Sequence, residues 1–413
     1  MVKKHHDWKS GAVLEEHSQR KHKILAEYFR RYLKERCKNP RSRRFRLAIL
    51  DGFCGGGYYK NDHQGSPVIF VKTLLETVKE INIDRGAQNM PMVDVECMMI
   101  LNDCDPNAIS EVRKALAPFE AEAKEEDSHV QLLTEYYTGQ FETRVDHFRD
   151  RIEAKRFNNV ICFLDQYGSS KVRRRTITNL MYSRKSVEIF LTYAIESLIA
   201  FLNQHDPNLL KKQLQHLELD ANALEFSQEL LSQQQWLGTA ERIVFSCFCQ
   251  CAPYVTPFAV NNPKGWSYWF MHFANQYRAR QVYNDVLHNN SCEQAHFGKS
   301  GLKMLSHDPD NSSLYLFDMD GRRKALEQLP DDIARVIAEG GDTIRMGTFY
   351  ETIYNETPAH SDDINTAIME NPDLEVLTPD ERERRVPNRI SLDDTLRLRK
   401  QRSFSFLHSS NRK

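Results

Sequence analysis

The sequence predicts an α/β protein built on a mostly parallel sheet, and three observations carry that prediction. Short runs that are apolar throughout, such as VECMMILND (95–103) and VEIFLTY (187–193), alternate with helical patterns. Strands of that kind are buried on both faces, as in a parallel sheet covered by helices. The first run ends in an acid and collapses into glycine, LAILDGFCGGGYY (47–59). Two further apolar runs, APYVTPFAV and GWSYWFMHFA, flank the turn-rich NNPKG, the pattern of a hairpin.

The elements follow in order. Residues 17–36 place Ile24, Leu25, Tyr28, Phe29, Tyr32 and Leu33 at helical spacing with charge on the other face. FRLAILD (45–51) is a strand, the glycine loop follows it, and Ser66-Pro67 opens a helix with first-turn chemistry. Strands are then expected at 95–103, 129–137, 159–165 and 187–193. Helices are expected at 106–116, from 141 to about 157, and at 171–183, with a polar helical stretch over about 196–240. Five parallel strands closed by an antiparallel hairpin describe a Rossmann-like class I methyltransferase sheet. The expected division is a basic N-terminal helical segment (1–44), the α/β domain (45–296), a polar linker (297–324) and a small, mostly helical, winged-helix-like C-terminal domain with a basic tail (325–413). DLEVLTPD (373–380) is the expected wing.

Composition sets limits on function. A formal net charge of −1 and 40% hydrophobic residues describe an ordinary globular chain. No run approaches the roughly 20 apolar residues of a membrane helix, and MVKKHHDWKSG has no signal-peptide apolar region, so a cytoplasmic protein without a membrane partner is expected. The nine cysteines form no CxxC pair and read as thiols. Residues 1–46 hold fifteen Lys/Arg against five Asp/Glu, a net of about +10, which leaves about −11 for the rest of the chain. RCKNPRSRRFR (36–46) is the densest part; it reads either as a solvated face or as an electrostatic footprint for a polyanion.

A parallel sheet binds ligands beyond the carboxyl ends of its strands, and the exit loop of the first strand is the usual place. Asp51-Gly52-Phe53-Cys54-Gly55-Gly56-Gly57 stands there as D-x-F-x-G-x-G, unlike the dinucleotide fingerprint G-x-G-x-x-G. It looks like the first methyltransferase motif, in which glycines let the backbone pass beside the methionine part of S-adenosylmethionine and Asp51 meets its amino group. An acceptor for ribose hydroxyls is expected at the end of the second strand. Asp103 falls there, with Cys104 beside it, while Asp105-Pro106 suits a helix cap. A third contact is expected around Glu135 to Thr138.

At the end of the fourth strand, FLDQYGSS (163–170) offers Asp165, Gln166 and Tyr167 as the residues facing a methyl acceptor, the first two to orient an amine and the ring to stack. The bland alternative is a helix cap with a packed tyrosine. Lys171, Arg173, Arg174 and Arg175 follow at the same sheet edge, as a phosphate-tracking surface requires. CFCQC (247–251) is expected to be a strand with its three thiols on one face rather than a metal site.

Taken together, KHKILAEYFRRYL, LDGFCGGGYYKNDHQGSPVIF, ILNDCDPNA, FLDQYG and GWSYWFMHFANQYRARQVYNDVL resemble the bacterial three-Cys-motif partner protein family, over roughly residues 17–290. The resemblance implies a methyltransferase-like α/β domain encoded beside a separate radical-SAM-type protein with three cysteines. The family name refers to that partner, so CFCQC is not its motif. Relatives tend to have proline after the strand-four aspartate, where this chain has Gln166. Two functions are therefore expected: a methyltransferase acting on a nucleic acid or nucleotide-like acceptor, or a non-catalytic nucleotide-binding accessory of the three-Cys partner in phage defence or mobile-element biology.

Overall fold

The computed structural model describes residue 8 and residues 12–201, 207–218, 243–260, 268–289, 294–295, 319–355, 357 and 359–399. The chain divides into two compact units, the second comprising Met319–Lys413 and a short stretch before it.

In the first unit the helices are α1 (Glu16–Arg36), α2 (Ser66–Ala87), α3 (Pro106–Glu122), α4 (Phe141–Ala154), α5 (Arg174–Met181), α6 (Ile195–Phe201), α7 (Pro207–Gln213), α8 (243–249) and α9 (Tyr277–Asn289). The strands are β1 (Arg44–Asp51), β2 (Asp94–Asp103), β3 (Val130–Thr138), β4 (Asn159–Leu164), β5 (Ser186–Tyr193), β6 (Tyr254–Thr256), β7 (Ala259–Val260), β8 (Tyr268–Ala274) and β9 (Gln294–Ala295). They form one sheet in the order β3-β2-β1-β4-β5-β8-β7-β9, with β6 also paired to β8. The first five are mutually parallel, and β8 runs antiparallel to β5 with Tyr193 opposite Trp269. Chain order reverses at β1, whose neighbours are β2 on one side and β4 on the other.

The period of two along each strand builds two cores. Leu47, Ile49, Cys97, Met99, Ile161 and Phe163 pack with α1, α2, α3 and α9. Ala48, Leu50, Met98, Ile100, Cys162 and Leu164 pack with α4, α5 and residues of the 244–252 segment. The continuous apolar strands are thus explained by helices on both sides. The stripe of α1 is entirely buried, so α1 is an integral layer of the α/β unit and not a separate basic segment.

One polar cluster lies inside the first core. Glu188 on β5 is buried and accepts a hydrogen bond from Tyr28 Oη of α1, with His272 Nε2 3.4 Å away. Removing a donor to a buried carboxylate leaves charge uncompensated. Tyr28→Phe is therefore expected to cost about 2–3 kcal/mol, read as a lower urea midpoint with an unchanged slope.

Three local expectations need correction. The helix after β4 begins at Arg174, not Lys171, because Gln166 Oε1 accepts from the Lys171 and Val172 N–H groups and holds that stretch as a loop. CFCQC is not a strand: residues 243–249 are helical, and Cys247 and Cys251, one turn apart, are buried while Cys249 is exposed. Alternating thiols mimicked a strand, but the spacing of four is what packing used. The linker expected to end at residue 324 gives way to a helix at Met319; residues 296–318, like the NNPKG connector, lie outside the described residues.

The second unit consists of α10 (Met319–Glu339), β10 (Thr343–Arg345), α11 (Met346–Ile353), α12 (Ser361–Glu370), β11 (Leu374–Leu377) and β12 (Thr395–Leu398). The strands make a small antiparallel sheet in the order β10-β12-β11. Ile333, Ile337, Phe349, Ile364, Ile368, Val376 and Leu396 form its buried face. The expected wing, 373–380, supplies β11 and the start of a long connection to β12. That connection is pinned at its end by fully buried Asp394, which accepts from Arg384 (2.8 and 3.0 Å) and from the Ser391 N–H (2.8 Å).

Candidate functional site

The strand order puts the carboxyl ends of β1, β2 and β4 side by side, and the acids predicted there meet at that edge. Asp51 closes β1 and is fully buried. Its Oδ2 accepts from Ser66 Oγ at 2.6 Å and its Oδ1 from the Phe53 N–H at 3.2 Å. Burial pushes its carboxyl up to about 7 against the opposing pull of the Ser66 and Phe53 bonds, with Asp165 and Asp103 adding to the rise. Asp103, closing β2, ties the glycine loop down: its Oδ2 accepts from the Gly55 N–H at 3.1 Å and its Oδ1 from the Asp105 N–H at 2.9 Å. Asp105 itself caps α3 by accepting from the Asn107 N–H at 2.8 Å.

Gly55 and Gly57 have φ of +61° and +86°, in the left-handed region that favours glycine. They also lie under close neighbours. A Cβ on Gly55 would stand 2.6 Å from the Trp8 indole, and one on Gly57 2.7 Å from the Ala115 Cβ of α3. The bare backbone is thus used by the chain itself, and the glycines alone do not demand a ligand. Gly52 donates to the Phe163 carbonyl of β4 at 3.0 Å, and the half-buried Phe53 ring packs 5.7 Å from Phe141. Cys104 is exposed, and partial burial beside Asp103 raises its thiol.

Two residues of α1 complete the edge, and neither was singled out from the sequence. Lys21, buried, reaches Asp165 Oδ1 at 2.5 Å and Thr192 Oγ1 of β5 at 3.3 Å. Burial pushes the Asp165 carboxyl up, but the Lys21 charge and the hydrogen bonds from Lys21 and Thr192 outweigh it and hold Asp165 below its ordinary value. Next to Lys21, His22 is buried and its imidazole is pushed down to about 4, chiefly by desolvation and against the attraction of Asp165. Its ring lies 6.1 Å from Tyr59, which in turn lies 5.2 Å from Trp8. The signal was present: Lys21 and His22 stand four and three residues before Leu25, on the buried stripe of the helix rather than its charged face.

Other predicted residues are placed differently. Gln166 is buried and its side-chain carbonyl is engaged by the loop it organises, so that oxygen does not face outward from the sheet edge. Tyr167 is 61% exposed, free to stack on a flat group. Lys171, Arg173 and Arg175 are exposed; Arg173 lies against Glu142, and Arg174 donates to Gln250 Oε1 at 2.9 Å. Glu135 is paired with Arg151 and Tyr137 rather than open to a ligand.

The two basic clusters do not converge. Residues 36–46 lead into the amino end of β1, whereas Lys171 to Arg175 lie beyond the carboxyl end of β4, its parallel neighbour. An eight-residue strand, about 26 Å long, separates the two edges. Arg44 and Arg46 are moreover paired with Glu96, and the Arg46 guanidinium stacks 4.4 Å over Phe157. The N-terminal cluster is thus partly structural, and the cluster after β4 alone borders the site.

Among the described residues no helix is long and apolar enough to cross a membrane. Residues 306–381 match the family described as GMT-like wHTH domain, a span that takes in α10 through β11 of the second unit. No curated protein matches the chain.

Proposed function

We propose that the protein is an S-adenosylmethionine-dependent methyltransferase of the Rossmann-like class I architecture, acting on a nucleic acid or nucleotide-like acceptor. The observation that carries this reading is the meeting of Asp51, the Gly55–Gly57 loop and Asp103 at the point where strand order reverses, where α/β sheets bind ligands. The antiparallel β8 inserted between β5 and β7 agrees with the sheet of that class.

The donor set fits the cofactor. Each Asp103 oxygen takes one main-chain hydrogen bond and keeps a lone pair for a ribose hydroxyl. Asp51, raised to about 7 by burial, ionises readily when an ammonium group approaches. Buried Asn102 donates to the Gly52 and Gly139 carbonyls, both at 3.1 Å, and its Oδ1 has no partner. When bound, S-adenosylmethionine supplies an electrophilic methyl group. This chain's part is to hold the acceptor: Asp165, kept ionised by Lys21, orients an N–H, the exposed Tyr167 offers a stacking surface, and Lys171, Arg173 and Arg175 lie where a phosphate backbone would pass. The winged-helix match in the second unit supports a nucleic-acid partner.

The inward position of Gln166 favours a second reading, a non-catalytic nucleotide-binding accessory that works with a radical-SAM-type three-Cys partner, as the resemblance to the three-Cys-motif partner family implies. Calorimetric titration with S-adenosylmethionine and S-adenosylhomocysteine tests the first. Micromolar binding is expected, weakened about tenfold or more by Asp103→Ala. Folded protein that binds neither ligand removes the enzyme reading.

A further inference from the structure

The basic stretch at residues 36–46 has no part in the site at the carboxyl ends of the strands, and the fold gives it other neighbours. β1, β4 and β5 are parallel and adjacent, with Leu47 opposite Asn159 and Asn159 opposite Ser186, so the chain entering each strand reaches the same amino edge of the sheet. Three segments meet there: residues 36–46 before β1, Lys155-Arg156 before β4, and Tyr182 to Lys185 before β5. Direct bonds tie the first two together. Arg46 donates to the Lys155 carbonyl at 3.0 Å and to the Arg156 carbonyl at 3.1 Å, and Arg36 donates to the Asn159 side chain. Asn275 pins the third by donating to the Met181 and Arg184 carbonyls, both at 2.9 Å.

The charges at this edge do not cancel. Glu35 is taken by Arg278 and Lys38, Glu96 by Arg44 and Arg46, Glu153 by Arg184, and Asp94 by His129. Arg41, Arg43, Lys155, Arg156 and Lys185 are exposed and have no ion-pair partner among the described residues. Beneath the 37–42 loop, buried Arg85 donates to the main-chain carbonyls of Cys37, Asn39, Ser42 and Pro91, which fixes the loop and leaves the guanidinium charge in place. An ordinary solvated face interleaves both signs of charge, whereas residues 36–46 hold six Lys/Arg and no Asp/Glu. Cations held rigidly on one edge repel each other, and a polyanion relieves that repulsion.

The same edge carries an aromatic platform. Tyr182, two residues before Arg184, is 69% exposed. An open ring beside cationic groups suits an unpaired base, and a duplex, whose bases are stacked inside, makes no use of it. We propose that the amino edge of the sheet is a second nucleic-acid-binding surface, which holds the phosphates of a single strand on Arg41, Arg43, Lys155, Arg156 and Lys185 and stacks a base on Tyr182. The length of β1 separates it from the edge that bears Asp165, so the nucleotides it holds are not those offered for methylation. The inference goes beyond the methyltransferase reading and does not depend on it. RNA and DNA strands share this chemistry, and the test separates them.

The full chain, without cofactor, is titrated by fluorescence anisotropy into labelled RNA and DNA strands of about twenty nucleotides, and into the matching DNA duplex, from about 50 to 200 mM salt. The variants are Arg41→Gln/Arg43→Gln/Lys155→Gln/Lys185→Gln, the charge-keeping Arg41→Lys/Arg43→Lys, and Tyr182→Ala, all at exposed positions and checked by thermal melts. Loss of four phosphate contacts is expected to lower the slope of log affinity against log salt by about 2–3 and to weaken strand binding at least about tenfold at the lower salt, while the lysine pair stays within a few-fold of wild type. Tyr182→Ala is expected to weaken strand binding about fivefold or more at an unchanged slope. Whichever strand binds more tightly is the partner, and either result supports the inference. It is overturned by a wild type that binds neither strand, by a duplex held more tightly than both, by Tyr182→Ala binding as wild type does, or by a lysine pair as weak as the fourfold variant. Phosphatidylserine vesicles bound more tightly than either strand assign the edge to a membrane and overturn it too. Strand binding untouched by the four substitutions but lost in Arg173→Gln/Arg175→Gln overturns it while leaving the acceptor surface beyond β4 standing.

Discussion

Asp51→Asn is expected to make the protein more stable above neutral pH and, at the same time, unable to hold the cofactor. The carboxyl is fully buried and raised from 3.8 to about 7. A group raised in the folded state binds more protons there than in the unfolded chain. Its contribution is therefore fully present below about pH 4 and is lost as pH rises through about 7. At about 1.4 kcal/mol per tenfold, an ionised Asp51 weighs against folding by roughly 4 kcal/mol at pH 8. Asparagine is neutral at every pH, can still accept from the Phe53 N–H, and offers its amide to Ser66 Oγ. Allowing for imperfect bonds, the variant is expected to gain about 2–3 kcal/mol at pH 8, and less at pH 5. Urea unfolding at the two values measures this; a gain that does not grow with pH means the buried acid is not the titrating group. Calorimetry on the same variant should show S-adenosylmethionine binding reduced at least tenfold, because the neutral amide cannot compensate an ammonium. Gain in stability with loss of binding is the mark of a group kept for its ligand rather than for the fold.

How much of this was legible follows from what each residue does. The order of strands and helices could be read because continuous apolar runs and the stripe of α1 report burial directly, and burial is what the sheet and its two cores impose. The position of Asp51 and Asp103 at one edge of the sheet could be read because each ends such a run, at the edge where parallel sheets generally take ligands. Lys21 and His22 were missed because they arrive from another helix: α1 is contiguous with the basic segment, and its first turns look solvated until the sheet is placed beneath them. Whether the two basic clusters meet depends on how their strands pair: residues 36–46 precede β1 and residues 171–175 follow β4, and because the two strands are parallel the clusters lie at opposite edges of the sheet. In CFCQC, a three-cysteine alternation was too short to distinguish a period of two from a turn of helix.

The Lys21–Asp165 pair gives the other large effect, and it separates structure from function. Lys21 is 3% exposed at its side chain and Asp165 20%, so their 2.5 Å contact is largely shielded from water. Breaking a buried pair by removing one partner strands the other charge. Lys21→Met should therefore cost about 2–4 kcal/mol, a value discounted for the partial exposure of Asp165. Asp165 would then no longer be held below its ordinary value, because burial is left without its counterweight. Adding Asp165→Asn removes the stranded charge, and the double variant should recover most of the lost stability, since a neutral pair of similar size avoids both desolvation costs. If the pair served only the fold, the double variant would also retain any ligand-dependent behaviour of the wild type. If Asp165 must be ionised to orient an acceptor N–H, the double variant is stable yet transfers no methyl group, while cofactor affinity, which the proposed function assigns to Asp51 and Asp103, stays within a few-fold of wild type. A double variant as unstable as Lys21→Met alone would show that Lys21 stabilises this edge through contacts other than its pairing with Asp165, such as its hydrogen bond to Thr192.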